Sequence, residues 1–236
     1  MIYLFSYVIG VTLHAHDQLL LVVADDMNRS SALLQRYERT QGGWETVGER
    51  VPVNVGRNGL GWGIGIMDLP HPDTDPVKHE GDGRAPAGVF ALGPVFGYAA
   101  SISTRMPYLQ ATPDLVCVDD SLSAAYNRIV PVRPELSIGS FEWMRREDSL
   151  YRIGVVVGHN GSGVAGRGSC IFLHIEKAPG AGTAGCTSMA PDPLATIIRW
   201  LDPEKSPLLV QIPRQRLPEA QKRFEGIGEY QSMPER

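Results

Sequence analysis

The sequence has no excess of positive charge and, beyond its amino terminus, no long apolar run. Its 22 Lys and Arg residues are outnumbered by 26 Asp and Glu residues, which leaves a formal net charge of -4. Without a basic stripe along the chain, a nucleic-acid partner is disfavoured. No later apolar segment approaches the roughly 18 residues that a membrane-spanning helix requires. A polytopic membrane protein is therefore excluded.

Cysteine and histidine are also scarce. The chain has 3 cysteines and 6 histidines, and these form neither a C-x-x-C pair nor an H-E-x-x-H motif. The spacing therefore does not favour a zinc site, and no metal or organic cofactor is implied. With three cysteines, at least one thiol stays unpaired after a single disulfide forms within the chain.

Glycine and proline, in contrast, are abundant. The chain has 26 Gly and 18 Pro, without the regular period that collagen needs, and 43% of its residues are apolar. This composition predicts a single loop-rich, mainly β domain with a substantial core and a few short helices. We place this domain at residues 17–213, followed by a polar carboxy-terminal tail at residues 214–236.

The amino-terminal segment favours export. Residues 2–13 are apolar and carry no formal charge, and the polar pair Asp17-Gln18 follows shortly after. A short apolar run at this position resembles a secretory signal peptide, which we place at residues 1–16. The mature protein would then lie in the periplasm or cell envelope without an integral membrane span. The alternative interpretation is a buried first strand.

Several short β-branched or apolar segments bounded by turn residues predict strands. They are residues 18–24, 31–37 with a return at 44–47, 88–93, 115–119, 151–157, 169–175 and 208–212. A helix is predicted to begin with Asp192 as its N-cap, because apolar residues then recur at i, i+3, i+4 and i+7 from Leu194. Residues 140–151 also have a helix-compatible composition.

Cys186 is the candidate for the unpaired, reactive thiol. It lies among glycines and other small residues, which leave the sulfur approachable and allow backbone N–H groups to converge on an oxyanion. A cysteine nucleophile needs a base. His174 ends a predicted strand 12 positions upstream (186 − 174), so a return loop can bring the two side chains together.

Other roles for the cysteines stay open at this point. Cys170 is a poorer partner for His174, because four strand positions at about 3.3 Å each separate them by roughly 13 Å. Cys170 packs in the core or pairs with Cys117. Bridges from Cys186 to Cys117 or to Cys170 are further alternatives, as is ordinary core packing of Cys186 and His174.

Two segments together resemble the L,D-transpeptidase catalytic domain of the YkuD-like family. One joins Phe-Leu-His174-Ile to Thr183-Ala-Gly-Cys186-Thr-Ser-Met, and the other is Glu-Gly-Asp-Gly-Arg84-Ala-Pro-Ala-Gly-Val-Phe at residues 80–90. The resemblance covers roughly residues 18–213 and implies a YkuD-like mixed β-sandwich. It also implies cysteine-dependent acyl transfer on the stem peptides of peptidoglycan.

The resemblance assigns roles to individual residues. Cys186 would be the acyl-accepting nucleophile, His174 its base, and the carbonyl of Ile175 the group that orients the imidazole. Backbone amides near Gly185 and Cys186 would form the oxyanion site. Ala184 and Ser188 stand where the family usually has His and Arg or Asn, and the loop between His174 and Thr183 is short, which puts the peptide preference in question.

Substrate-binding candidates lie at four further positions. Arg84 could bind a substrate carboxylate in bidentate fashion, or else tie its loop with a surface ion pair. The strand-end pair His159-Asn160 resembles the family's cleft residues; His159 is also an alternative base, and a simple turn explains Asn160 equally well. Thr183 belongs to the cysteine segment itself.

Two rival functions accompany this hypothesis. Water as the acceptor would make the protein a cysteine peptidase or amidase on the same scaffold. A non-catalytic wall-binding module would hold Cys186 in a disulfide.

Overall fold

The computed structural model describes residues 16–135 and 138–227. The signal peptide was predicted at residues 1–16, of which residues 1–15 lie outside the described residues. The strands are β1 (Gln18–Ala24), β2 (Ser31–Thr40), β3 (Gly43–Asn54), β4 (Leu60–Trp62), β5 (Ala85–Gly97), β6 (Tyr108–Gln110), β7 (Leu115–Val118), β8 (Ile129–Pro131), β9 (Phe141–Trp143), β10 (Ile153–Val157), β11 (Phe172–Ile175), β12 (Thr187–Met189) and β13 (Leu208–Pro213). The helices are α1 (Pro191–Trp200) and α2 (Leu217–Arg223), with single 3₁₀ turns at Pro203–Lys205 and Arg214–Arg216.

The main sheet closes on itself. Eight of its ten strands follow one another in the order β10, β11, β12, β3, β2, β1, β13 and β5, and β5 pairs again with β10. The short strands β4 and β6 also pair with β5. Strand β1 is buried along its whole length, parallel to β13 and antiparallel to β2. An uninterrupted apolar run suits such a strand, because both of its faces are covered. The prediction of a mainly β domain with a few short helices is confirmed.

A second sheet, with the order β8, β7 and β9, is linked covalently to the first. Cys117 on β7 forms a disulfide with Cys170, which lies just before β11. Of the alternatives for Cys170, pairing with Cys117 is therefore the one found. Cys186 is the free cysteine, and it is buried.

Two predictions about local structure are wrong. Residues 140–151 form strand β9 and turns instead of a helix, since β9 pairs with β7 and the Asp148 carboxylate accepts the Leu150 amide hydrogen. Helix α1 begins two residues earlier than expected: Pro191 occupies its first turn, and Ala190 is the N-cap in place of Asp192.

The predicted polar tail is also wrong for residues 214–227. This segment forms a 3₁₀ turn and α2, and it buries Leu217, Ala220, Phe224 and Ile227 in the main core. The spacing of these apolar residues is close to one helical face, and it went unrecognised among the charged residues between them. Neither α1 nor α2 is long and apolar enough to cross a membrane, and this finding concerns the described residues alone.

Candidate functional site

Strands β11 and β12 set the relative positions of His174 and Cys186. They run parallel, with Leu173 opposite Thr187 and His174 opposite Ser188. Cys186 precedes β12, and its Sγ accepts a hydrogen bond from the Phe172 amide at 3.3 Å. Since side chains alternate along a strand, Phe172 and His174 share a face. Cys186 therefore lies level with Phe172, two residues before His174 on the neighbouring strand.

Both side chains line one cavity of about 380 Å³. Thr183, Gly185 and Tyr151 also contribute to its wall. A larger cavity of about 650 Å³ lies between the β2–β3 turn and α2, but it contains neither of the predicted catalytic side chains. The larger cavity is therefore not the candidate site, because the lining residues that can carry out chemistry lie in the smaller one.

The imidazole of His174 has a defined tautomer. Its Nδ1 lies 2.7 Å from the carbonyl oxygen of Ile175. A carbonyl can only accept, so Nδ1 carries the proton and Nε2 carries a free lone pair. Burial lowers the pKa of His174 to about 4, so the ring is neutral at pH 7. This geometry fits the predicted role of Ile175 in orienting a neutral base.

The thiol of Cys186 is protonated at rest. Burial raises its pKa to about 12, and the negative charge of Glu142 adds to this shift. The S–H group donates to the carbonyl of Cys170 at 3.4 Å. Among the described residues, no hydrogen bond joins Cys186 to His174. The resting pair is thus a neutral thiol and a neutral imidazole, and nucleophilic attack requires a base to accept the thiol proton.

The thiol inventory can be checked chemically. In the protein without reductant, we expect Cys186 to be the cysteine that iodoacetamide modifies, slowly at pH 7 and faster as the pH rises, because the reactive species is the thiolate. Peptide mapping should recover Cys117 and Cys170 in one cross-linked pair. Recovery of Cys186 in a disulfide would contradict the structure.

The loop before Cys186 is held by Thr183. Its hydroxyl donates to the carbonyl of Cys186 at 2.6 Å and accepts from the amide of Gly185 at 3.1 Å. The Gly185 amide is therefore already engaged, which corrects its predicted place in the oxyanion site. Of the predicted pair of amides, that of Cys186 remains for this role. Thr183 lines the cavity and also fixes the backbone that carries Cys186.

The cavity contains two side chains that sequence reasoning did not select, Tyr151 and Glu142. The Tyr151 hydroxyl donates to Oε2 of Glu142 at 2.6 Å, and the edge of its ring packs against His174 with 5.3 Å between ring centroids. Its influence on the Cys186 thiol opposes the rise in the pKa of that group that burial causes. No sequence motif marks these two residues. Residues 140–151 were interpreted as helix-compatible, so strand β9, which positions Glu142, was not predicted.

Lys78 lies next to the loop that carries Cys186. It is 2% exposed, and its ammonium donates to Oδ1 of Asp82 and to the carbonyl of His79. A Cβ atom at Gly185 would lie 3.7 Å from its Nζ. The segment at residues 80–90 that carries the second motif thus begins next to a buried ion pair that supports this loop.

The structure places Arg84 outside the cavity wall, which corrects its predicted role. Its guanidinium donates to the carbonyls of Met27 and Leu60 and to Oδ1 of Asn28, at 2.8 to 3.1 Å. These bonds hold the segment around Met27 against β4. Arg84 therefore joins two parts of the fold instead of binding a substrate carboxylate.

Replacement of Arg84 by alanine should lower stability and leave substrate affinity unchanged. Loss of these charged hydrogen bonds should cost about 2 kcal/mol of unfolding free energy, which urea denaturation would measure. Arg57→Ala is the matched control, since Arg57 is exposed and lines the cavity. The structural role of Arg84 would be contradicted if Arg84→Ala raised the KM for the substrate without shifting the urea midpoint of unfolding.

His159 and Asn160 do not line the cavity either. Their exposed fractions are 2% and 0%, and Nε2 of His159 lies 2.9 Å from the carbonyl of Arg167. The Asn160 amide group bonds the backbone of Val164 and Gly168. Their contacts organise the loop at residues 158–170, and so neither residue is placed to bind a substrate.

Comparison of the chain with protein-family models, with curated proteins and with solved structures found no match in any of the three. In the described part of the chain, no group of three or more His, Cys, Asp or Glu side chains is arranged to hold a metal ion. The case for a function therefore depends on the geometry of the cavity and on the two motifs.

Proposed function

We propose that the protein is an exported, cysteine-dependent L,D-transpeptidase with a YkuD-like fold that acts on the stem peptides of peptidoglycan. The observation that carries this proposal is the placement of a free cysteine and a histidine of fixed tautomer on the wall of one cavity. The order and spacing of the two motifs supply the family and the substrate class.

The first half-reaction forms an acyl-enzyme. As Sγ of Cys186 attacks the amide carbonyl, the thiol proton moves to Nε2 of His174, and the carbonyl oxygen becomes an oxyanion that the Cys186 amide can bind. Collapse of this intermediate breaks the C–N bond, and His174 passes its proton to the departing amine. The acyl group remains on sulfur as a thioester, which an acceptor amine or water resolves. No cofactor takes part in these steps.

In this proposal Arg57 binds the substrate carboxylate, which is the role that the sequence had predicted for Arg84. Arg57 lines the cavity, and its amide donates to the carbonyl of Thr183 at 2.8 Å, which places it next to the loop that carries Cys186. Its exposed guanidinium can form a bidentate pair with a carboxylate of the peptide.

The disulfide between Cys117 and Cys170 argues against the wall-binding module, because that alternative required Cys186 to be bridged. The hydrolytic alternative uses the same residues and differs only in the acceptor. Mass spectrometry of peptidoglycan fragments after incubation with the protein tests all three functions. New cross-linked or exchanged peptides support the transpeptidase, shortened peptides alone support the hydrolase, and unchanged peptides would overturn both.

A further inference from the structure

A second group that can accept a proton, in addition to His174, lines the cavity that holds Cys186. The Tyr151 hydroxyl donates to Glu142 at 2.6 Å, and its influence on the Cys186 thiol opposes the rise in the pKa of that group. Tyr151 is 4% exposed, and its ring is fixed by edge contacts with Phe96, Phe172 and His174. The proposed mechanism needs one base for the thiol, which is His174, and it leaves the Tyr151–Glu142 pair without a role.

The surroundings of Glu142 make it a strong proton acceptor. Burial raises its pKa, and the negative charges of Asp119 and Glu80 add to the shift, whereas Tyr151 and Arg146 oppose it. Arg146 contributes less than a free cation would, because it pairs with Asp148 at 2.8 Å. Asp119, Glu80 and Glu142 all line the cavity. The acidic neighbours of Glu142 therefore outnumber its one basic neighbour, and this side of the cavity suits a cationic group. Arg57, Lys78 and Lys177 line the same cavity, and Lys78 is paired with Asp82.

Asp119 shows that this side of the cavity lacks a hydrogen-bond donor. Its Oδ1 atom is buried without a hydrogen-bond partner among the described residues. A buried carboxylate oxygen in this state is costly unless a donor satisfies it. An ammonium group, with three N–H donors, would supply such a donor.

The two observations lead to one inference. We propose that Tyr151, acting with Glu142, removes a proton from the ammonium group of the acceptor and so directs the acyl-enzyme towards amines in preference to water. In this proposal Tyr151 contacts the acceptor amine and is a further catalytic residue, since it lines the cavity that holds Cys186, whereas Glu142 acts through it. The inference rests on the proposed function, because it requires a thioester at Cys186.

The proton balance of this step is complete. The acceptor amine is mostly protonated at pH 7, because the ordinary pKa is about 8 for an α-amino group and about 10 for an alkyl amine. One ammonium N–H bond breaks and its proton goes to Oη of Tyr151, while the proton already on Oη moves to Oε2 of Glu142. Burial, reinforced by Cys186 and Glu142, raises the pKa of Tyr151, so the hydroxyl passes the proton on without becoming a phenolate.

The neutral amine then attacks the thioester carbonyl. A C–N bond forms, the C–S bond breaks, and the second amine proton passes through Nε2 of His174 to Sγ, which regenerates the thiol. Glu142 returns its proton to solvent when the product leaves. Water carries no positive charge and needs only His174, so the Tyr151–Glu142 pair favours the amine.

The ratio of amine product to hydrolysis product tests this inference. A purified disaccharide-tetrapeptide serves as donor, with glycine as an acceptor that is protonated at pH 7 or hydroxylamine as one that is largely neutral. For Glu142→Gln and Tyr151→Phe we expect the glycine-to-water ratio at pH 7 to fall about 10-fold or more. The hydroxylamine-to-water ratio should stay within about twofold of wild type, and the glycine ratio should recover as the pH is raised to 9.

Tyr108→Phe is the matched control, since the Tyr108 hydroxyl donates to the carbonyl of Ala99 outside the cavity. The double variant Glu142→Gln/Tyr151→Phe should match the single variants, because the two side chains form one path. An unchanged glycine ratio, or equal losses with glycine and hydroxylamine, would overturn the inference while the proposed function stands. A wild-type protein that forms no acyl-enzyme at Cys186 would overturn the proposed function and this inference with it.

Discussion

Replacement of Cys186 by alanine should abolish acyl transfer and leave the fold intact. In the proposed mechanism the cysteine supplies the sulfur atom on which the acyl group is carried, and no other thiol is free in the described part of the chain. The hydrogen bonds of Sγ to Phe172 and Cys170 are lost, and a small void replaces the sulfur, which together should cost about 1 to 3 kcal/mol of unfolding free energy.

This prediction is measured by chromatography of peptide products together with urea denaturation. Cys186→Ser is the companion variant, because it keeps a polar group of similar shape and removes the more nucleophilic sulfur. Both variants should fall below the detection limit for product while retaining a cooperative unfolding transition. Turnover by folded Cys186→Ala at even a few per cent of wild type would show that another group carries the chemistry.

Replacement of His174 by alanine should slow acyl transfer on the order of 100-fold or more. Because burial raises the pKa of the thiol to about 12, little thiolate exists at pH 7, and attack depends on Nε2 of His174. The pKa of His174 is lowered to about 4, so its lone pair stays available as the pH falls to that value and is lost below it. Wild-type acyl transfer should therefore keep its His174-dependent component down to about pH 4.

His159→Ala is the control that separates a base from a structural histidine. The ring of His159 is buried against Phe90, so its loss should lower stability. The rate of acyl transfer per folded molecule should change little, where circular dichroism gives the folded fraction. If His159→Ala slows acyl transfer as much as His174→Ala does, the assignment of His174 is wrong.

Much of the fold could be predicted because its strands carry local signals. Strand β1 is a continuous apolar run, and residues 169–175 combine β-branched residues with flanking turns. Strand β9 and helix α2 were missed for a different reason. Three residues of β9 become a strand only by pairing with β7, and α2 is stabilised by burying its apolar residues, which are separated by charged ones. Tertiary contacts decide such segments.

The residues of the candidate site also fall into some that the sequence could predict and others that it could not. The positions of Cys186 and His174 followed from a motif whose spacing reflects two adjacent strands. Arg84 and His159 were chosen from their places in a motif and at a strand end, but the guanidinium of Arg84 bonds main-chain carbonyls. Nε2 of His159 bonds the carbonyl of Arg167, and its Nδ1 is buried without a hydrogen-bond partner among the described residues. Tyr151 and Glu142 precede Cys186 by 35 and 44 positions (186 − 151 and 186 − 142), and only the pairing of distant strands brings them to the sulfur.

The central claim is that Cys186 carries the acyl group, and rapid-quench mass spectrometry tests it most directly. The intact protein is mixed with the disaccharide-tetrapeptide, quenched in acid, weighed and then mapped by peptide digestion. We predict one acyl group on the peptide that contains Cys186, released by hydroxylamine as a thioester should be and absent from Cys186→Ala. Product formation without this adduct, or with the acyl group on another residue, would contradict the account.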